Sequence, residues 1–331
     1  MTSPTLTSAP PVAHTGVGGA GAPAPLRRKK PFITRIRPWL LLTPAIIVLA
    51  GLLLWPLVRV VMFSLQDYGL REIVSGKQDW IGFDNYVEVL TSPTLWTVAL
   101  PNTVVFAILS VACTVTFGTL VALLMVSLGP FWRGVVGTAI MIAWAMPAVT
   151  GTYVWIWIFD ADNGIVNRTL MSLGLMHDPV NWFTNPVSFY GIVLLNIVHH
   201  GFPFVAITVL AGLIGVPKEM LEAAEMDGAG AVRRFFSIIV PSLKQVFAIV
   251  IILSTIWDFK VFAQVYLMPG GAGENRQVLN LGVWSYVESF GQNRYGFGSA
   301  IAVLLTLVLL AITVVYVRSM LKEDLTREET P

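Results

Sequence analysis

The sequence predicts an all-α integral membrane protein with six transmembrane helices and a short helical loop, residues 213–241, between the fourth and the fifth. Three observations predict it. Of 331 residues, 55% are hydrophobic and 12% charged, against about 25% charged in ordinary soluble domains, and the mean hydropathy is +0.73. Six apolar runs are long enough to cross a bilayer, which takes about 20 residues in a helix that satisfies its own backbone hydrogen bonds. Charge is also unevenly placed, with two glutamates, an aspartate and two arginines gathered in "EAAEMDGAGAVRRFFSIIVP", residues 222–241.

Residues 1–38 are rich in Pro, Ala, Gly, Ser and Thr, contain no acidic residue, and close on Arg27, Arg28, Lys29, Lys30, Arg35 and Arg37. Such a segment has too little apolar area to offset its ordering entropy, so a disordered basic tail is expected. The run from Trp39 to Phe63 is too long for the apolar core of a signal peptide and no A-x-A-like site follows it; it is read as a retained first span. Five more spans are expected at 99–127, 135–159, 188–212, 243–268 and 297–320, giving a transmembrane domain of residues 39–320 and a short tail, 321–331. In the second span Gly118 and Ala122 have small-xxx-small spacing, which suits close helix packing. In the third, Pro147 predicts a kink, and Trp155, Trp157 and Phe159 suit an interfacial belt.

Lys and Arg set the orientation. The tail, the 128–134 loop, the 213–244 segment and the C-terminal segment carry fourteen between them. The opposite loops carry five, Arg71, Lys77, Arg168, Arg276 and Arg294. Both termini and the 213–241 loop are therefore expected in the cytoplasm, and the Asn167-Arg168-Thr169 sequon outside. The net charge of +2 gives no reason to expect a nucleic-acid partner. Cys113 has no second cysteine, which excludes an intrachain disulfide and a cysteine metal centre.

Within the loop, Pro217 suits the first turn of a helix and Lys218 to Asp227 contains good helix formers. Glu219, Glu222, Glu225 and Met226 share one face, and Leu221, Ala224 and Gly228 another. The run "DGAG" supplies a turn, after which helical periodicity resumes. A solvated surface loop is the bland alternative. The pattern goes further: Glu222, Ala223, Ala224, Gly228, Ile238 and Pro241 resemble the EAA loop of binding-protein-dependent ABC import permeases (E-A-A, three residues, G, nine residues, I-x-L-P), with Val240 replacing the leucine. "FDADNGIVNRTLMSLGL", "NWFTNP", "AGLIGVPKEMLEAAEMDGA" and "YGFGSAIAVLLTLVLLAITVVYVR" extend the resemblance over residues 39–320, towards the sugar permeases related to the larger maltose-transporter subunit.

That resemblance implies the ABC type I importer permease fold, with the loop as a coupling helix seated in a cleft of an ATPase. Glu222 would be its acidic contact, Ala223 and Ala224 would allow close packing, and Gly228 would form the bend. It also implies a second permease with its own EAA loop, two ATP-binding subunits, an extracytoplasmic solute-binding protein and a bacterial inner-membrane location. No G-x-x-x-x-G-K-[ST] occurs, so no phosphate cradle and no ATPase activity are expected in this chain; ATP and Mg would be used by the partner subunits. Two departures bear on the solute: "LMPGGAGENRQ" lacks the proline that commonly follows the Gly-Gly pair, and the histidine pair stands where many relatives carry a tryptophan.

Polar residues within spans mark the candidate solute path. In the fourth span Asn196, His199, His200 and Pro203 share a face, and Gly201 with Pro203 can open local backbone. In the fifth, Ser254, Trp257, Lys260 and Gln264 form a second stripe, with Asp258 about 200° round from Lys260. Hydroxyl-binding groups beside aromatic rings suit a neutral carbohydrate, and interhelical packing is the alternative for each of them. The adjacent His199 and His200 diverge by about 100° with no third ligand, so no metal site is expected. Import of a di- or oligosaccharide is the leading expectation. Glycerol phosphate diesters or polyols are alternatives within the class, and outside it an ion-coupled secondary transporter, with Asp258 and the histidines as a proton relay, or an assembly protein without transport.

Overall fold

A computed structural model describes residues 32–328 except Ala272; the expectations for the tail before residue 32 and for the last three residues lie outside the described residues. By its internal contacts the chain divides at Leu54 and Trp55. The first unit carries α1 (Phe32–Leu49) and a π-helical turn, Ala50–Leu54.

The second unit starts with α2 (Trp55–Ser64), β1 (Gln66–Asp67), α3 (Leu70–Ser75), β2 (Asp79–Trp80) and α4 (Asp84–Thr91). The two strands pair antiparallel, Gln66 opposite Trp80. A π-helical turn, Leu95–Ala99, leads into α5 (Leu100–Ser127). The guanidinium of Arg133 closes the far end of α5, donating to the carbonyls of Met125 (3.0 Å), Val126 (2.8 Å) and Leu128 (3.1 Å), three of the acceptors a helix C-terminus leaves open. There follow α6 (Pro130–Trp144), α7 (Ala148–Ile158) and α8 (Ile165–Ser172). Next is α9 (Pro186–Ile214), capped by the Asn185 side chain, which accepts from Val187 N–H.

Beyond α9 run α10 (Lys218–Met226), α11 (Ala231–Arg234), a π-helical turn Phe235–Ile239, α12 (Val240–Ser242), α13 (Lys244–Phe259), α14 (Ala263–Leu267), α15 (Leu281–Tyr286) and α16 (Tyr295–Glu328). Among the described residues five helical segments are long and apolar enough to span a membrane: Leu41–Ser64, Leu95–Ser127, Pro186–Ile214, Lys244–Leu267 and Tyr295–Arg318. A sixth arises if α6 and α7 count as one span bent by 92°. The kink expected at Pro147 is thus a break: α6 stops at Trp144, and Pro147, extended at φ −57° and ψ 136°, begins the next helix. Proline removes a donor and keeps its predecessor out of the helical region.

The expected backbone opening in the fourth span is not found, since α9 runs through Gly201 and Pro203 without interruption. Gly201 instead gives α9 a close approach to α5, where a Cβ would lie 2.9 Å from Thr114 Cγ2. One turn on, a Cβ at Gly118 would lie 2.6 Å from Val205 Cβ. The opening occurs in the fifth span, between α13 and α14.

Two apolar clusters hold the unit together. One joins Val89, Phe189, Val193, Val265, Trp284 and Ile301. The other joins Ala122 and Met125 of α5, Val205, Val209 and Leu213 of α9, and Leu243 and Val250 at the start of the fifth span, with Leu221 and Ile239 packed against it. Through those last two residues the loop after α9 is fastened to the helix bundle.

Candidate functional site

The loop between α9 and α13 folds as two short helices around a left-handed turn. Gly228 sits at φ +76°, a conformation that costs side-chain-bearing residues about 1–2 kcal/mol. Ala229 N–H bonds the carbonyl of Ala224 (2.9 Å) and Gly228 N–H that of Glu225 (3.0 Å), the paired bonds of a Schellman ending. Across the turn Arg234 meets Glu225 at 2.7 Å. Glu225, expected on a free acidic face with Glu219 and Glu222, is therefore spent on bracing the second helix. Glu222 and Ala223 are exposed and Ala224 is half-buried. Glu222 makes no ion pair or hydrogen bond among the described residues. Ile238 is half-buried and Pro241 exposed. Beside Glu222, Met226, Val232 and Phe236 are 88%, 73% and 65% exposed, so the loop turns an acidic and apolar surface outward while Leu221 and Ile239 anchor its underside.

A cleft of about 440 Å³ opens where two spans break. Trp144 and Ala148, either side of the α6–α7 break, form one wall, and Ile197, His200 and Gly201 of α9 a second. Trp257, Asp258, Lys260, Val261 and Gln264 complete it. Helix α13 tightens as it ends: Lys260 N–H bonds the carbonyl of Trp257 (3.1 Å) and Val261 N–H that of Asp258 (3.4 Å), the narrower three-residue spacing typical of a closing turn. Asn280, itself buried, holds the break by donating to the Val261 carbonyl (2.7 Å) and accepting from Val283 N–H (2.8 Å).

The break sorts the expected path residues. His200, Trp257, Asp258, Lys260 and Gln264 come together in the cleft, although Ser254, Trp257, Lys260 and Gln264 do not form the single helical stripe expected, because the helix stops at Phe259 and restarts at Ala263. Ser254 is buried in α13. Asn196 lies outside the cleft, only 2% exposed, with its amide donating to Thr152 Oγ1 of α7 (3.3 Å). His199 points away, exposed beside the Trp155 ring at 6.0 Å. Of the cleft's charged groups Asp258 is 8% exposed, and its Oδ2 has no hydrogen-bond partner among the described residues. No cluster of three or more metal-ligating side chains occurs among the described residues.

Asn280 is the positioning residue that sequence reasoning missed; an asparagine directly before a helix is an N-cap signal, but its carbonyl partner 19 residues earlier is not readable. The segment that leads to Asn280 is stitched to α5 and α9. Asn102 donates to the carbonyls of Gln277 and Leu279, Leu281 N–H to Thr103 Oγ1, and the Tyr190 hydroxyl to the Val278 carbonyl. In "LMPGGAGENRQ" a Cβ at Gly271 would run into the Val265 carbonyl oxygen, so that glycine serves close backbone packing. Asn167 is 1% exposed; its amide donates to Ala161 and Val180 carbonyls and accepts from the Trp182 indole. The sequon asparagine is a structural pin.

Residues 114–322, which contain both the loop and the cleft-lining α9 and α13, match the family described as binding-protein-dependent transport system inner membrane component. The chain belongs to this family. Over 311 residues it is 39% identical to the diacetylchitobiose uptake system permease protein DasB of Streptomyces coelicolor, covering 93% of this chain and 92% of that one. It is 30% identical to the trehalose/maltose transport system permease protein MalF of Thermococcus litoralis, covering 85% of this chain and 92% of the relative. A crystal structure of a bacterial ABC transporter that imports the acidic polysaccharide alginate contains a chain that superposes with a TM-score of 0.72 over 90% of this permease, at 22% identity. That likeness establishes the ABC type I importer permease fold.

Proposed function

We propose that this permease translocates a di- or oligosaccharide across the bacterial inner membrane, and that separate ATP-binding subunits drive it through the 213–241 loop. The observation that carries the reading is the loop: a motif-bearing helix pair bent at Gly228, braced by Glu225 and Arg234, with Glu222 and neighbouring apolar side chains left open. Relatives named for diacetylchitobiose and for trehalose and maltose support a saccharide. In this reading one of two ATP-binding subunits, which use the ATP and Mg, docks at Glu222 and Ala223, Gly228 keeps the bend, and Ile238 and Pro241 lead the chain back to the membrane. A second permease with its own EAA loop completes the pore, an extracytoplasmic binding protein delivers the solute, and both termini lie in the cytoplasm. The solute passes the cleft, where Trp257 offers a ring to sugar C–H faces while His200, Asp258, Lys260 and Gln264 offer hydrogen bonds. Asn196 lies behind the cleft wall, bonded to Thr152, and the part played by His199, which faces Trp155 instead of the cleft, is tested by substituting it and measuring uptake.

Affinity purification from gently solubilised native membranes, using a C-terminal tag and mass spectrometry, tests the assembly. A P-loop ATPase and a second EAA-bearing permease in stoichiometric amounts are expected. A chain that purifies alone, and that captures no ATPase after crosslinking in intact membranes, would refute the coupling role. Uptake that survives ATP depletion but stops with an uncoupler would favour the ion-driven alternative.

A further inference from the structure

We propose that Asp258 makes the cleft selective for uncharged saccharides, accepting a hydroxyl or amide hydrogen from the solute and rejecting sugars that carry a carboxylate or sulfonate. This rests on the saccharide-import reading and goes beyond it by assigning a charge filter to one residue. Asp258 is 8% exposed, lines the cleft, and has one carboxylate oxygen without a hydrogen-bond partner among the described residues. Buried polar atoms are almost always partnered, and an ionised carboxylate only accepts. Oδ2 itself is closed to the cleft; the part of Asp258 that stays exposed borders the open volume, and there the ionised carboxylate accepts only from a donor that the solute brings.

The rest of the lining favours the same class. Recognition of a carboxylate or sulfonate usually employs the planar fork of arginine, and among the described residues no arginine lines the cleft. Lys260 is its single always-basic group, exposed and without an ion pair among the described residues, so it is a flexible point charge. His200 is half-buried on the facing helix. An anionic sugar would bring its charge beside a desolvated carboxylate with no fork to compensate, which is how sites reject a wrong ligand by repulsion. A neutral sugar meets an acceptor in Asp258, donors in Lys260 and Gln264, and the Trp144 and Trp257 rings.

The test uses the complex purified through this chain and matched pairs of sugars, maltose with maltobiouronate and cellobiose with cellobiouronate, which differ only in CH2OH against COO−. Binding is followed by quenching of the cleft tryptophans. The wild type is expected to prefer a neutral member by about tenfold or more, the ratio one good hydrogen bond plus a like-charge contact supplies. Asp258→Asn, or Asp258→Ser if the amide variant assembles poorly, should collapse that preference. Equal wild-type binding of a pair, or unchanged preference in both Asp258 variants, overturns the charge filter and leaves import standing. If no sugar perturbs fluorescence in a complex that retains its ATPases, the cleft is not the solute site and the inference falls with it, while co-purified ATPases keep the coupling reading intact.

Discussion

Replacing Gly228 by valine isolates the bend from everything around it. A Cβ there would meet nothing within 4 Å, so the substitution adds no clash; the whole cost is the positive φ of +76°. For a non-glycine residue that cost is about 1–2 kcal/mol, and β-branching places valine at the upper end. The Glu225–Arg234 pair cannot offset it, because side chains 67% and 27% exposed make an ion pair of about 0–1 kcal/mol. A net loss near 2 kcal/mol lowers the bent population relative to competing loop conformations by roughly thirtyfold. Insertion should be untouched, since the spans are unaltered. ATPase recovered with the tagged chain should fall by about an order of magnitude, in the order Gly, Asn, Ala, Val, because asparagine tolerates the left-handed region. Wild-type ATPase recovery and uptake in Gly228→Val would refute the docking role of the bend. An asparagine variant as damaged as valine would show that backbone strain is not the cause.

Lys260→Met should change solute uptake without loosening the ATPase; dissociation of the complex would assign Lys260 to packing instead. Asn280→Ala strips the buried Val261 carbonyl of its donor and α15 of its cap, a loss of about 1–3 kcal/mol; the thermal midpoint of the purified complex should drop, and an unchanged midpoint would contradict the clamp. Gly118→Leu places a side chain where Val205 already lies within 2.6 Å, so it should abolish stable accumulation of the protein, whereas Gly134→Leu, with no neighbour within 4 Å, should accumulate normally.

The spans were readable because bilayer crossing demands a long apolar helix whatever its neighbours, and the loop because its chemistry is local: a helix start at Pro217, formers through Met226, a glycine where the chain must turn left-handed. The positions of the breaks were harder. Pro147 announced itself through its missing N–H, but the 92° bend depends on what α6 and α7 pack against. Gly201 and Pro203 suggested an opening that neighbouring contacts close, since α5 lies against Gly201 through Thr114. The true opening at Lys260–Phe262 contains neither glycine nor proline. It is held by Asn280, distant in sequence, which takes the Val261 carbonyl that a continuing helix would have used. Helical-wheel reasoning therefore grouped Trp257, Lys260 and Gln264 correctly as neighbours of the cleft but for a geometry the helix does not have, and placed Asn196 with His200 although it faces Thr152.

The order of the chain ties the two sites together. Helix α9 carries His200 in the cleft wall and ends at Ile214, four residues before α10 begins; α13 starts at Lys244, directly after the loop, and ends at the Asp258 turn. A displacement of the loop therefore reaches both of those walls along continuous helices. It is also passed on sideways, because Leu221 and Ile239 pack into the cluster of α5, α9 and α13 side chains, where close packing transmits strain and does not absorb it. The far ends of the same walls are held by side chains gripping backbone, Asn102 and Tyr190 on the 277–279 carbonyls and Asn280 on Val261. Between these grips the helices are interrupted at Ala145–Pro147 and at Lys260–Phe262, the second pinned by Asn280, and both interruptions border the cleft. If the loop is the docking site proposed above, motion delivered at Glu222 would therefore change the shape of the cleft, which is what a solute path alternately open to each side requires.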